Sequence, residues 1–279
     1  MAAGRSTRTD PPSPSRTETL YAFDRALQCG LAANLLSLEQ LTAEAQEETS
    51  VAFRPESVSR RSLPSLAGCD EAGRGALAGP VVVACVHFPT FAFPEESGQP
   101  PKGETDLLER LDGLDDSKRL SAQRREALFE EITTLARFGI GTATPAEIDG
   151  HGIVPACALA ARRAHRAMEY PVEVLLLDRG LSLHPLSESQ GIKFPRQLSL
   201  TKGDTRSFHI AAASILAKVT RDRMMAALHS RFPVYGFSQN KGYGTAAHRE
   251  SLRRCGPSSL HRLTYRLSAE APGPCRIDS

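Results

Sequence analysis

Ala67-Gly68-Cys69-Asp70-Glu71-Ala72-Gly73-Arg74-Gly75-Ala76-Leu77-Ala78-Gly79-Pro80-Val81-Val82-Val83 sets two adjacent carboxylates before a glycine-flanked arginine and a β-branched run. Apolar, valine-containing segments bounded by glycine and proline are strand signals, so strands are predicted over Leu66–Asp70 and Val81–Phe88. Paired carboxylates supply the hard oxygen ligands that Mg²⁺ and Mn²⁺ take. An arginine between glycines lets both backbone and guanidinium approach a phosphate or a sugar. In isolation the Asp-Glu pair reads first as a polar turn between two strands. Neighbouring strand side chains point to opposite faces, so both acids reach one ion only where the chain turns. Ala72-Gly73 is the expected turn.

Outward from this stretch, strand and helix signals alternate. Ser121 opens a helix to about Arg137, with Ala127, Leu128, Ile132 and Leu135 on its apolar side. Phe138–Ala143 reads as a strand, and Thr144-Pro145-Ala146-Glu147 has capping-box spacing with proline at the first helical position. A helix near Pro155–Glu169, a strand over Val174–Leu177 and a long helix from Phe208 to Arg231 follow. Such alternation predicts an α/β sheet flanked by helices. Upstream, Leu20, Phe23, Leu27, Leu31, Leu35 and Leu41 recur at near-helical spacing, which predicts one or two amphipathic helices. Residues 1–16 are rich in proline, serine and arginine and are expected to be disordered. Arg54–Ser65 reads as a linker, and Pro94–Gly113 as a polar surface insertion that does not pack.

The chain has 279 residues, is 41% apolar and 24% charged, and carries a net charge of +2. These values fit a globular protein of one large domain with appendages. The charge is unevenly placed. Thr201–Arg266 holds 12 Lys/Arg against Asp204, Asp222 and Glu250, a balance that suits a phosphate backbone or a solvated helix face. The six cysteines form no CxxC pair, and Cys69, Cys85 and Cys157 lie in apolar runs as expected of small buried hydrophobes. No apolar run approaches the 18 or so residues of a membrane span, and no signal peptide is evident, so a reducing, cytoplasmic protein is expected.

Five blocks carry a family resemblance. After the opening stretch come Leu114-Asp115-Asp116-Ser117-Lys118-Arg119-Leu120-Ser121 and Val174-Leu175-Leu176-Leu177-Asp178. Lys202-Gly203-Asp204 with Ile210–Asp222 is the fourth block, and Lys241-Gly242-Tyr243-Gly244-Thr245 with His248 the last. In this order they resemble the type 2 ribonucleases H, in particular bacterial ribonuclease HII. The resemblance implies a ribonuclease H-like mixed sheet flanked by helices, with a helical N-terminal extension and a helical C-terminal part. It spans roughly residues 66–266, and the expected division is an extension over 1–62, a catalytic domain over 63–266 and a flexible tail over 267–279.

The implied activity is hydrolysis of RNA in RNA–DNA hybrids and incision at single ribonucleotides in duplex DNA, tasks of ribonucleotide repair and replication. A two-ion mechanism using Mn²⁺ or Mg²⁺ would leave 5′-phosphate and 3′-hydroxyl ends. Asp70, Glu71, Asp178 and Asp204 are the implied catalytic acids, with Asp70, Glu71 and Asp178 as metal ligands. Asp204 in isolation could instead cap the helix that follows. Gly73, Arg74 and Gly75 are implied to sense the ribose 2′-OH, and Tyr243 to pack on the neighbouring deoxyribose. Lys118 and Lys218 read as phosphate contacts or as solvated lysines. Asp115 and Asp116 are expected to order the Ser117-Lys118 loop, and Asp222 to form an ion pair. The family commonly has glycine where Arg179 stands and histidine where Asn240 stands. Partners are hybrid and ribonucleotide-containing duplexes, with no membrane and a monomeric chain. The tail lacks an aromatic pair, so no clamp-binding peptide is expected there. The alternatives are a ribonuclease HIII-like enzyme, disfavoured by Ala72 and Arg74, and an inactive hybrid-binding protein, disfavoured by four retained acids.

Overall fold

The computed structural model describes residues 13–32, 63–91, 101–183 and 195–267. The elements are α1 (Arg16–Ala32), β1 (Leu66–Ala72), β2 (Val81–His87), α2 (Lys102–Arg110), α3 (Ala122–Leu135), β3 (Arg137–Ala143), α4 (Pro145–His151) and α5 (Ile153–Ala167). After them come β4 (Val174–Asp178), β5 (Arg196–Leu200), α6 (Phe208–His229), α7 (Phe237–Asn240) and α8 (Ala246–Cys255). The sheet order is β3-β2-β1-β4-β5. β1 is antiparallel to β2 and parallel to β4, β4 is parallel to β5, and β2 is antiparallel to β3, so the sheet is mixed as expected.

Both faces of the sheet are covered. Ala67, Cys69, Val83 and Cys85 pack with Ala156, Ala160 and Ala164 of α5 on one side. On the other, Ala72, Ala84 and Val86 pack with α6, Leu128 and Ile132 of α3, and Leu20 and Tyr21 of α1. The N-terminal helix is thus part of the core. Gly68 makes this packing possible, because a Cβ there would run into the His209–Ile210 backbone of α6. Ser121 caps α3 through Arg124 N–H, and Thr144 and Glu147 form the expected capping box. Among the described residues no helix is long and apolar enough to cross a membrane.

Three expectations need correction. Lys102–Arg110 is a helix with Leu107 buried and Leu111 and Leu114 beside it, so the described part of the polar insertion does pack. Ala127 is exposed, and the buried stripe of α3 is Leu128 and Ile132. Cys69 and Cys85 are not separate thiols: the β1–β2 register sets them opposite one another, Cα atoms 4.4 Å apart, joined by a disulfide. The cysteine-based argument for a reducing compartment therefore loses its support. Residues 1–12, most of the linker, and residues 268–279 lie outside the described residues, as do Leu35 and Leu41.

Candidate active site

The site is built at the carboxyl ends of β1 and β4. Their parallel register pairs Cys69 with Leu177, so the next residues, Asp70 and Asp178, leave adjacent strands side by side. Asp70 is 5% exposed and lies against Ser214 of α6, which hydrogen-bonds its carboxylate. Asp178 Oδ1 accepts Gly203 N–H at 2.8 Å. Gly203 opens a one-turn 3₁₀ helix, Gly203–Thr205, that carries Asp204 at 6% exposure. The helix-capping alternative for Asp204 is excluded, since Ser207 caps α6 by accepting Ile210 N–H.

Glu71 follows a different course. Period-two alternation sends it to the face opposite Asp70, and β1 runs on through Ala72 before reversing at Gly73, whose φ is +91°. The expected turn therefore falls after the pair, with Glu71 still paired to Val83 in the sheet. Glu71 Oε1 lies 3.4 Å from Arg74 Nη1, while Oε2 is buried without a hydrogen-bond partner.

Four acids crowd one another here. Burial, then the charges of Glu71 and Asp178, holds the Asp70 carboxyl well above its ordinary range. Burial raises Glu71 as well, opposed by Arg74. Asp204 is raised by burial and by Asp116, opposed by Lys118. Among the described residues, no three His, Cys, Asp or Glu side chains are closed around one ion position as they stand. The donor chemistry nonetheless suits a hard divalent cation: all oxygen, mutually repelling, with one buried oxygen unpartnered.

Lys118 reaches in from the α2–α3 loop, its Nζ 3.3 Å from Asp204 Oδ2 and its side chain 77% exposed. As expected, Asp115 and Asp116 order that loop: Asp115 Oδ1 accepts Asp116 N–H and Asp116 Oδ1 accepts Lys118 N–H, both at 2.9 Å. Ser117 Oγ lies 2.9 Å from Ser214 Oγ, which ties the loop to the helix behind Asp70. Lys218 sits one helical turn beyond Ser214 and pairs with Asp222 at 2.7 Å, outside the acid cluster.

The Gly73-Arg74-Gly75 loop is held from behind by two buried arginines that the sequence reading missed. Arg262 donates to Gly73 O at 2.7 Å, Arg74 O at 2.8 Å and Gly79 O at 3.0 Å. Arg221 donates to Pro80 O at 2.9 Å, Ala78 O at 3.0 Å and Lys241 O at 2.8 Å. A Cβ at Gly73 would collide with Arg221, so this glycine is needed for close approach as well as for φ. The available signal was Arg221 standing between Ala217 and Met225 at helical spacing, a cation in a buried stripe. Nothing local to the sequence marked Arg262.

Leu77 and Ala78 N–H both donate to Gly242 O, which brings the tyrosine loop beside the arginine loop. Tyr243 is 38% exposed, with its ring 5.3 Å from the Arg221 guanidinium. Asn240 closes the turn before it, accepting Gly242 N–H at 2.8 Å and donating to Tyr235 O at 2.6 Å. The loop after Asp178 uses Gly180 at φ +96°, and its carbonyl lies 3.4 Å from Arg74 Nη1.

Known proteins similar to this chain identify its family and share its fold. The family model described as Ribonuclease HII matches residues 67–268. A ribonuclease HII from Syntrophotalea carbinolica is 44% identical over 222 residues, covering 79% of this chain and 94% of that protein. Among solved structures, ribonuclease HII from the Archaeoglobus fulgidus PCNA complex aligns with a TM-score of 0.55 at 26% identity, covering 74% of this chain and 98% of that one. Bst ribonuclease HIII, solved in complex with Mn²⁺, shares the fold with a TM-score of 0.55 at 18% identity, over 79% of this chain and 74% of that one. Motif order, strand order and the family match over most of the chain agree, and the protein belongs to the ribonuclease HII family of endoribonucleases.

Proposed function

We propose that this endoribonuclease cuts the RNA strand of RNA–DNA hybrids and also incises at single ribonucleotides embedded in duplex DNA. Asp70, Glu71, Asp178 and Asp204 would hold two divalent ions, Mn²⁺ or Mg²⁺, and the products would be 3′-hydroxyl and 5′-phosphate ends. The observation that carries this reading is the buried acid cluster at the ends of β1 and β4, with its raised carboxyls and the unpartnered Glu71 oxygen. Divalent ions bound there supply Lewis-acid stabilisation of the charge that builds on the phosphodiester oxygens.

The chain's own groups do the rest. Gly75 has open space where a Cβ would stand, so a sugar can come close to the loop backbone and its 2′-OH can be sensed. Arg74 orients Glu71 and lies beside the same loop. Lys118 offsets part of the charge of Asp204 while its ammonium stays largely solvated, within reach of a substrate phosphate. Tyr243 is supported from beneath by Arg221 and presents a ring for the deoxyribose on the far side of the cut.

The test is cleavage of a DNA duplex with one embedded ribonucleotide beside a uniform RNA–DNA hybrid, with the product ends mapped. Incision of both with 5′-phosphate ends supports the reading. Cutting of the hybrid alone removes the single-ribonucleotide activity. Undiminished cutting in excess chelator removes the ion mechanism.

A further inference from the structure

His248 and His261 form a buried pair that the mechanism above does not use. Their Nε2 atoms are 3.0 Å apart, and both rings are almost fully buried. The outer partners settle where the protons lie. His261 Nδ1 receives Ser258 N–H at 2.9 Å, so it is the bare nitrogen and Nε2 carries the hydrogen. His248 Nδ1 faces the carbonyl of Tyr243 at 2.9 Å, and a carbonyl only accepts, so here Nδ1 carries the hydrogen and Nε2 is bare. The two assignments interlock. Ser258 N–H donates to His261, His261 Nε2–H donates to His248 Nε2, and His248 Nδ1–H donates to Tyr243 O.

The relay ends on the tyrosine loop. Tyr243 O also accepts Thr245 N–H at 2.8 Å, which uses its second lone pair. The other end is the segment whose next residue, Arg262, grips the carbonyls of Gly73 and Arg74. Through the His261–Arg262 peptide, the relay therefore connects the tyrosine loop to the residue that holds the Gly73-Arg74 loop. Tyr235 and Phe237 enclose the pair, with the Tyr235 ring centroid 4.6 Å from that of His261 and the Phe237 centroid 5.6 Å from that of His248. The charged neighbours are Arg249 on the helix of His248, which disfavours an added proton there, and Arg262, next in sequence to His261. Burial and the facing His248 bring the His261 pKa down to about 4, and burial lowers His248.

We propose that His248 and His261 are positioning residues: a neutral pair in complementary tautomers that fixes the Tyr243 carbonyl and hence the placement of its ring on the junction nucleotide. The inference rests on the role given to Tyr243 above. Asparagine reproduces the donor at the Nδ1 position of histidine, whereas glutamine reproduces a group at Nε2. His248→Asn thus keeps the bond to Tyr243 O and His248→Gln loses it.

Loss of one such hydrogen bond predicts a fall of roughly fivefold in the preference for the single-ribonucleotide duplex over the uniform hybrid in His248→Gln. His248→Asn should keep most of that preference. Combined with Tyr243→Ala, His248→Gln should lower the preference no further. Equal preferences in the two His248 variants, or additive losses with Tyr243→Ala, would overturn the proposal. If Tyr243→Ala alone leaves the preference unchanged, the tyrosine reading itself fails. Ring-nitrogen NMR of the unmodified protein at about pH 7 checks the pair without any variant. Nδ1–H on His248 with Nε2–H on His261 supports the proposal, and an imidazolium or the reverse tautomers would refute it.

Discussion

Asp70 illustrates how a residue proposed to hold metal opposes stability. Its carboxylate is buried beside Glu71 and Asp178, and all three influences raise its pKa, so ionising it costs free energy in the ion-free fold. Asp70→Asn removes that charge at nearly constant shape. The variant should lose several orders of magnitude of cleavage, since stabilisation by the bound ions contributes several kcal/mol. In chelator it should nevertheless melt a few degrees higher than the unmodified chain, a trade of stability for activity that thermal unfolding will read. A lower melting point would mean that the carboxylate is a structural acceptor. Arg262 is the reverse case. Truncation to alanine leaves the Gly79 carbonyl unpartnered, at about 1–3 kcal/mol for a buried group, and strips a guanidinium bond from Gly73 O and Arg74 O, which keep Ala76 N–H and the Tyr265 hydroxyl. Arg262→Lys should rescue little, because one ammonium cannot reproduce a planar fork. Stability and cleavage indistinguishable from the parent in Arg262→Lys would refute the positioning role. Asp70, Asp178 and Asp204 are legible through the family blocks that contain them, since each taken singly reads as a turn or cap residue. Arg262 acts through backbone carbonyls distant in sequence, and no local pattern encodes those partners.

At the scale of elements, α1 shows how amphipathic spacing announces a helix without saying what covers it. Leu20, Leu27 and Leu31 are buried as their spacing implies, but against α6, the β5 edge and the start of β1. Asp24 goes further. Its Oδ2 accepts from Ser207 Oγ, His209 N–H and His209 Nδ1, so an acid of the N-terminal helix satisfies the first turn of α6. Thr17 bridges Leu111 O and Leu114 N–H, which fastens α1 to the loop after α2. Leu20→Ala should therefore cost about 2–5 kcal/mol in denaturant unfolding. A 63–279 fragment should be less stable than the full chain, and equal stability would return α1 to the status of an appendage. The same logic explains the misread insertion and cysteines. Leu107, Leu111 and Leu114 stand at helical spacing, but the Glu, Asp and Lys around them masked it, and only the β1–β2 register brings Cys69 to Cys85.

For the whole molecule, two titrations oppose each other. His87, His248 and His261 have folded pKa values below their ordinary one, His261 at about 4. Their contribution is complete above about pH 6.5 and is lost as the pH falls, because the unfolded chain then binds protons that the folded chain refuses. Asp70, Glu71 and Asp204 are raised, so the unfolded chain sheds their protons first as the pH rises, and stability declines until the folded carboxyls have also ionised. The ion-free protein thus loses on both sides, through its histidines as the pH falls below about 6.5 and through its carboxylates as the pH rises above about 4. A divalent ion acts on the second loss alone. At about pH 8 it meets more of these carboxylates ionised than at about pH 5, where protons compete more strongly for the same oxygens. An ion at a hundred times its dissociation constant contributes about 2.7 kcal/mol, which for a domain of this size is a rise of roughly 5–10 °C. Mg²⁺ or Mn²⁺ should therefore raise the melting temperature by about that much at the higher pH and by clearly less at the lower. Asp70→Asn should blunt the difference. Equal gains at both pH values, or an undiminished gain in Asp70→Asn, would place the ion away from the carboxylates at the ends of β1 and β4.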